Sequence, residues 1–146
     1  MCLHPDPIVA IPAETARVAR TAFPKSSVVM RLRDEFNALY DDQAFQTFYP
    51  TRGQPGLAPW RLALVTVLQF LENLSDRQAA EATQARIDWK YALALELTDP
   101  GVHFSVLTGF RARLVANRAE HLLLDAMLER FAARGLLKAR GKQRTD

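Results

Sequence analysis

The fold class of this 146-residue chain is decided by residues 57–90, which run LAPWRLALVTVLQFLENLSDRQAAEATQARIDWK. This stretch begins with an almost continuously apolar segment opened by Pro59, and proline is well placed in the first turn of a helix. Asn73–Ser75 interrupt the apolar pattern, and a short, alanine-rich polar segment follows. Ser75 and Gln78 have the spacing of a capping box, which marks a helix start. This order predicts two helices joined by a tight turn, the outline of a helix-turn-helix unit.

Apolar residues recur at helical spacing along most of the remaining chain. The predicted helices are Ala13–Ala22, Val28–Tyr40, Pro59–Glu72, Asp76–Ala85, Ile87–Leu97, Val106–Ala116 and Ala119–Arg134. Serines at 26, 27, 75 and 105 are the predicted N-caps. No convincing strand pattern interrupts these helices. The sequence therefore predicts an all-α, compact multi-helix domain with a helix-turn-helix-like centre and a basic C-terminal tail. Pro59–Glu72 is the predicted central helix, because it is apolar on almost every side.

Composition divides the chain into three segments. Residues 1–12 contain three prolines, which predicts a flexible Pro-rich arm. Residues 13–137 form the predicted helical domain. Residues 138–146 form a basic linker, in which Lys138, Arg140, Lys142 and Arg144 precede the final Asp146.

The overall composition is that of an ordinary soluble domain, with 49% hydrophobic residues, 24% charged residues and a net charge of +3. A single cysteine, Cys2, excludes an internal disulfide and a CxxC zinc site. His121 and Asp125 lie four residues apart, but two ligands are too few for a metal site. The chain begins without the pattern of a signal peptide, and its longest apolar run is shorter than the roughly 20 residues of a membrane span. We therefore expect a cytoplasmic protein with no metal, membrane or small-molecule partner.

Polar residues on the predicted outer faces of the central helices indicate DNA contact. Arginine and lysine suit guanine or phosphate, and glutamine suits adenine. The candidate residues are Arg77, Gln78, Gln84, Arg86 and Lys90, with Arg61 and Arg52 as further phosphate contacts near the helix entry. Arg86 and Lys90 are four residues apart and are predicted to share a positive face. A solvated helix face has the same pattern, and the choice between Asp76–Ala85 and Ile87–Leu97 as the base-contacting helix stays open.

Two other groups of basic residues have the chemistry of phosphate contacts. One group is Arg111, Arg113 and Arg118, on or near the helix predicted at Val106–Ala116. The other is the basic tail, Lys138, Arg140, Lys142 and Arg144. Charge runs of this kind are also common in solvated linkers, so the sequence leaves both interpretations open.

Five stretches together resemble the N-terminal (InsH-like) helical domain of bacterial insertion-sequence transposases that carry a DDE catalytic domain. They are FPKSSVVMRLRDEF at 23–36, RGQPGLAPWRLALVTVLQFLENLSDRQAAEA at 52–82, RIDWKYALALELTDPG at 86–101, FSVLTGFRARL at 104–114 and GLLKARGKQRTD at 135–146. They cover nearly all of the chain after residue 20. The resemblance implies a DNA-binding module that positions the terminal repeats of the element for DNA transposition.

The same resemblance implies a catalytic domain that this chain lacks. In the family, the motif QRTDST leads into an RNase H-like domain, in which three carboxylates hold two divalent metal ions, such as Mg²⁺, for phosphoryl transfer. The residue matching the first carboxylate is Asp146, the last of the chain, and the rest of the triad is absent. We therefore expect a truncated front part of a transposase that is not an enzyme alone. Its expected partners are the transposon ends and other transposase protomers.

Other functions also fit the sequence. A leucine-rich final helix and a modest net charge suit a helical oligomerisation module of the transposase. A truncated product could instead inhibit the full-length enzyme by competing for DNA or subunits. A remnant of a disrupted gene that still folds is the remaining alternative.

Overall fold

Six α-helices account for most of the part of the chain that the structure describes. The computed structural model describes residues 10–36 and 58–119, together with His121 and Asp125. In chain order the helices are α1 (Ala13–Ala22), α2 (Val28–Phe36), α3 (Pro59–Glu72), α4 (Asp76–Ala85), α5 (Ile87–Leu93) and α6 (Phe104–Ala116). These ranges contain no strand, which confirms the predicted all-α class. None of the described helices combines the length and apolarity that a bilayer crossing requires.

Helices α3 and α5 form the centre of the domain. Helix α3 buries Trp60, Leu62, Leu64, Val65 and Leu68 among other residues, as its apolar sequence predicts. Every residue of α5 after Ile87 is buried, because this helix packs against α1, α2, α3 and α4. At roughly 1.5–3 kcal/mol for each large apolar side chain removed from water, these two helices supply much of the hydrophobic stabilisation.

Local sequence signals place the ends of α1, α3 and α4 at the predicted residues. Asn73 ends α3 in the left-handed conformation, which asparagine tolerates better than most residues. The predicted capping box is present at the start of α4. Ser75 Oγ accepts from the Gln78 amide at 3.1 Å, and Gln78 Oε1 accepts from the Ser75 amide at 2.9 Å. The turn between α3 and α4 therefore consists of three residues, Asn73–Ser75.

Helix α2 begins at Val28 as predicted, and Ser27 Oγ accepts a hydrogen bond from the Met30 amide at 3.2 Å. Its predicted continuation beyond Phe36 lies outside the described residues. The same is true of the Pro-rich arm up to residue 9, most of the helix predicted at Ala119–Arg134, and the basic tail. Those expectations stay predictions.

Helix α5 is shorter than predicted, since it ends at Leu93 and not at Leu97. Ala94 ends it with a φ of 55°. Side chains from three other helices then satisfy the buried carbonyl groups at this end, as helix C-termini require. The hydrogen bonds run from Arg33 Nη1 to Ala92 O (2.9 Å), from Arg61 Nε to Leu93 O (2.8 Å) and from Thr15 Oγ1 to Leu95 O (2.7 Å). These partners are remote in sequence, so helical periodicity alone could not reveal the end.

Helix α6 begins at Phe104, two residues before the predicted start at Val106. The predicted cap at Ser105 is wrong, because His103 Nδ1 accepts a hydrogen bond from the Ser105 amide at 3.2 Å. An imidazole nitrogen thus replaces the serine hydroxyl as the capping acceptor. Ser105 lies in the first turn, with its hydroxyl 2.8 Å from the same nitrogen.

Candidate nucleic-acid interface

Helix α4 has one buried face and one exposed polar face. Its buried residues are small, which permits close packing against α3 and α6: Ala79, Ala80, Ala82 and Thr83. Its exposed face carries Arg77, Gln78, Glu81 and Gln84. The structure thus brings three of the residues predicted to contact DNA onto one surface of one helix.

The first residue of α4, Asp76, anchors this helix to both neighbours. Arg111 of α6 donates to its two carboxylate oxygens, at 2.7 and 2.8 Å. Thr108 of α6 and Gln69 of α3 donate to the same carboxylate, each at 2.9 Å. The Arg111 hydrogen bonds are the main reason that the pKa of Asp76 lies well below its ordinary value. Arg111, predicted as a phosphate contact, is therefore part of an internal ion pair.

The last turn of α4 packs against the loop that precedes α6. Gly101 in this loop has a φ of +77°, and a Cβ there would lie 2.5 Å from Thr83 Oγ1 and 2.9 Å from the Gln84 amide nitrogen. Thr83 Oγ1 also accepts from the Val102 amide at 3.1 Å. Only glycine combines this backbone angle with so close an approach. The loop thereby fixes the backbone that carries Gln84.

Arg77 stacks on an aromatic ring from α6. Its guanidinium carbon lies 4.1 Å from the ring centre of Phe104, and the His103 ring centre lies 4.3 Å from that of Phe104. A cleft of about 180 Å³ runs beside this stack, and its lining includes Arg77, Glu81, Gln84, His103 and Phe104. Sequence reasoning missed Phe104, because nothing in the local pattern shows that the start of α6 lies beside α4.

Gln78 is committed to the start of its own helix. Its Oε1 atom accepts from the Ser75 amide in the capping box. A bidentate contact with adenine needs both the oxygen and the nitrogen of a glutamine amide. The polar chemistry that α4 can offer a ligand is therefore concentrated at Arg77, Glu81 and Gln84.

Arg86 lies between α4 and α5 and forms ion pairs on two sides. Its guanidinium donates to Glu72 at 2.8 and 3.1 Å and to Asp88 at 3.0 and 2.8 Å. The hydrogen bonds to Asp88 and then Glu72 raise the pKa of Arg86. Arg86 also lowers the pKa of Glu72 by hydrogen bonding. This arginine joins the end of α3 to the start of α5.

Lys90 is 2% exposed, and its Nζ donates to the Asp99 carbonyl oxygen at 2.6 Å. Burial lowers the pKa of Lys90. The prediction that Arg86 and Lys90 share an outward positive face is therefore wrong. The physical reason is that the neighbouring helices cover α5 from Asp88 to Leu93. Between the two helices left open by the sequence, α4 is the one with an exposed polar face.

Arg61 also takes part in internal contacts. Its Nε and Nη2 atoms donate to the carbonyl oxygens of Leu93 and Ala94, and its guanidinium lies 4.8 Å from the Trp60 ring centre. The other predicted site residues lie outside the described part of the chain: Arg52, Lys138, Arg140, Lys142, Arg144 and Asp146.

The described residues contain no group of three or more His, Cys, Asp or Glu side chains that could hold a metal ion. The divalent metal that the transposase resemblance associates with catalysis thus has no ligand set among them. The arrangement that they do provide is an exposed row of a guanidinium, a carboxylate and an amide along α4. Such groups hydrogen-bond to the edges of bases and to phosphates.

The family model described as Transposase domain (DUF772) matches residues 19–113, well over half of the chain. The match includes α2 to α5, most of α6 and the whole α4 surface, and it agrees with the resemblance to transposases found in the sequence. The chain matches none of the curated proteins and none of the solved structures with which it was compared.

Proposed function

Because the chain belongs to the transposase domain family, we propose that it is the DNA-binding module of an insertion-sequence transposase. In this proposal the module binds the terminal repeats of the element and positions them for DNA transposition. Helix α3, the turn Asn73–Ser75 and helix α4 act as a helix-turn-helix unit. The exposed face of α4 lies in the major groove, as the second helix of such units does.

The observation that carries the proposal is the difference between the exposed face of α4 and the other predicted cations. Arg77 and Gln84 form no ion pair or side-chain hydrogen bond with any residue that the structure describes. In contrast, Arg86 and Lys90 donate to partners inside the domain. Polar groups that contact DNA must have donors and acceptors available at the surface, and α4 meets that condition.

The charge around α4 supports sequence-dependent more than purely electrostatic binding. Asp88, an acid predicted to weaken the positive field, is buried against Arg86. Glu81 remains exposed on α4 and opposes indiscriminate phosphate contact. We assign most phosphate contacts to basic residues elsewhere in the chain, Arg52, Lys138, Arg140, Lys142 and Arg144, since counterion release by such residues dominates non-specific affinity.

The proposal is tested by fluorescence anisotropy of the full chain with a labelled duplex library of randomised sequence. We expect binding at about 50 mM salt that weakens steeply by about 200 mM. The Arg77→Ala and Gln84→Ala variants should each weaken binding to the best duplex by about fivefold or more. Arg31→Ala is the matched control, because it removes an exposed cation from α2. Absence of binding at low salt, or an equal effect of Arg31→Ala, would contradict the proposal.

A second candidate function, assembly with another transposase protomer, is favoured by exposed apolar side chains on α3 and α6. Phe70 is 79% exposed and Val115 is 61% exposed. Phe70 and Arg111 line one cleft of about 220 Å³, and Val115 lies one helical turn after Arg111. Exposed patches of this kind often mark protein interfaces. Light scattering over a concentration series should show a dimer that Phe70→Ser dissociates, and a wild-type monomer at every concentration would exclude this function.

A further inference from the structure

The stacking of Arg77 on Phe104 fixes the guanidinium while leaving its donors available. Stacking occupies a face of the guanidinium plane, whereas its N–H groups point outward within that plane. Arg77 forms no hydrogen bond with any described acceptor. An arginine held in this way presents a rigid pair of donors at the surface of α4. Guanine offers the matching pair of acceptors, O6 and N7, in the major groove.

Gln84 lies seven residues after Arg77 on the same helix. Seven residues make almost two full turns, so the two side chains leave the same face of α4. Their separation along the axis is about 10.5 Å. Base pairs are stacked about 3.4 Å apart, so this separation corresponds to about three base-pair steps. The Gln84 amide has no described hydrogen-bond partner, and it can pair with the N6 and N7 atoms of adenine.

Glu81 lies between these two residues and lines the same cleft. Its carboxylate is repelled by phosphates but can accept a hydrogen bond from the N4 amino group of cytosine. The face as a whole therefore rewards the correct base edges and penalises close contact with the DNA backbone. Gly101 keeps the backbone at Gln84 in place, and Phe104 keeps the guanidinium of Arg77 in place.

We propose that α4 distinguishes DNA sequences through two residues, with Arg77 recognising a guanine and Gln84 recognising an adenine about three base-pair steps away. Phe104 is a positioning residue, because it acts on the DNA only through Arg77. This inference rests on the proposed DNA-binding function and adds the bases that the module recognises.

The experiment begins with selection of preferred duplexes from a randomised pool by the full-length chain. We expect the selected site to contain a G·C pair and an A·T pair about three steps apart. Competition binding then compares this site with variants in which one of the two pairs is replaced. The wild-type chain should prefer each original pair by about tenfold or more.

Arg77→Lys keeps the positive charge but loses the planar pair of donors. It should abolish the preference at the G·C pair and leave the preference at the A·T pair intact. Gln84→Ala should do the reverse. Phe104→Leu should reduce the preference at the G·C pair, and Phe104→Tyr, which retains the ring, should restore it. Circular dichroism melting of each variant verifies that the fold is retained.

The possible failures are distinguishable. If the wild-type chain binds none of the duplexes, the proposed DNA-binding function itself is overturned. If it binds DNA without base preference, or with preferences that Arg77→Lys and Gln84→Ala leave unchanged, only the base assignment is overturned. A loss of preference at the same pair in both variants would also overturn the assignment, because each residue is assigned a separate pair.

Discussion

At the scale of single residues, Asp76 carries the most concentrated set of polar contacts on α4. Its carboxylate accepts from Arg111, Thr108 and Gln69, and its pKa is lowered chiefly by Arg111. A carboxyl group with a lowered folded pKa stabilises the protein above its unfolded pKa of about 3.9. That stabilisation is lost as the pH falls through the folded value. Asp76 therefore contributes to acid sensitivity as well as to the position of α4.

We predict that Asp76→Asn lowers the free energy of unfolding at pH 7 by about 2 kcal/mol, the usual value for hydrogen bonds to a charged group. The decline of stability between about pH 5 and pH 2 should also become shallower, because the variant lacks this titrating carboxyl group. Urea titrations over this pH range measure both effects. Glu96→Gln is the control, since Glu96 is exposed. Equal pH profiles for wild type and Asp76→Asn would contradict the prediction.

Two glycines allow a matched comparison of local backbone requirements. Gly101→Ala should destabilise the domain by about 2 kcal/mol or more, because its φ of +77° and its closeness to Thr83 and Gln84 both oppose a Cβ. Gly109 lies inside α6, and a Cβ there would meet no atom within 4 Å. Gly109→Ala should therefore stabilise the domain by about 1 kcal/mol, as expected for a helix interior. Thermal melting distinguishes the two, and effects of the same sign would contradict this account.

At the scale of elements, Arg86 joins three consecutive helices at one point. It pairs with Glu72 at the end of α3 and with Asp88 at the start of α5, and Trp89 Nε1 donates to the same Glu72 at 3.3 Å. Arg86→Met should cost about 2–3 kcal/mol, since it leaves the buried carboxylate of Asp88 without its main partner. The double variant Arg86→Met with Asp88→Asn should recover part of that loss. Failure to recover any stability would show that packing, not charge, dominates at this junction.

The elements also show which parts of the fold were predictable. Pro59 and the Ser75–Gln78 capping box are local signals, and they placed the start of α3 and of α4 correctly. The end of α5 depends on hydrogen bonds from Arg33 and Arg61, which come from other helices. The start of α6 depends on an imidazole cap, a rarer acceptor than a serine hydroxyl. Local chemistry was therefore readable from the sequence, while tertiary partners were not.

At the scale of the whole molecule, the candidate site was predictable as chemistry but not as geometry. Residue types and helical spacing identified Arg77, Gln78 and Gln84 on one face of α4, and the structure places them there. The same criteria also selected Arg86 and Lys90, whose side chains the fold uses internally. An arginine that binds DNA and an arginine that caps a carbonyl or pairs with an acid have the same appearance in a single sequence. Packing alone separates them.

This separation leads to a prediction for the molecule as a whole, in which stability and DNA binding depend on different arginines. Arg61→Met removes hydrogen bonds to the C-terminal carbonyls of α5, so it should lower the melting temperature by about 4 °C or more. Arg77→Ala loses an exposed stacking contact and should change the melting temperature by much less, while it weakens binding to the selected duplex.

Melting curves and anisotropy titrations of the same protein preparations test the two properties together. Added duplex should raise the melting temperature of wild type and Arg61→Met alike, because a ligand that binds only the folded state stabilises it by mass action. The increase should be smaller for Arg77→Ala, in proportion to its weaker binding. If Arg77→Ala instead lowered the melting temperature as much as Arg61→Met does, Arg77 would belong to the stabilising network and α4 would lose its main candidate for DNA recognition.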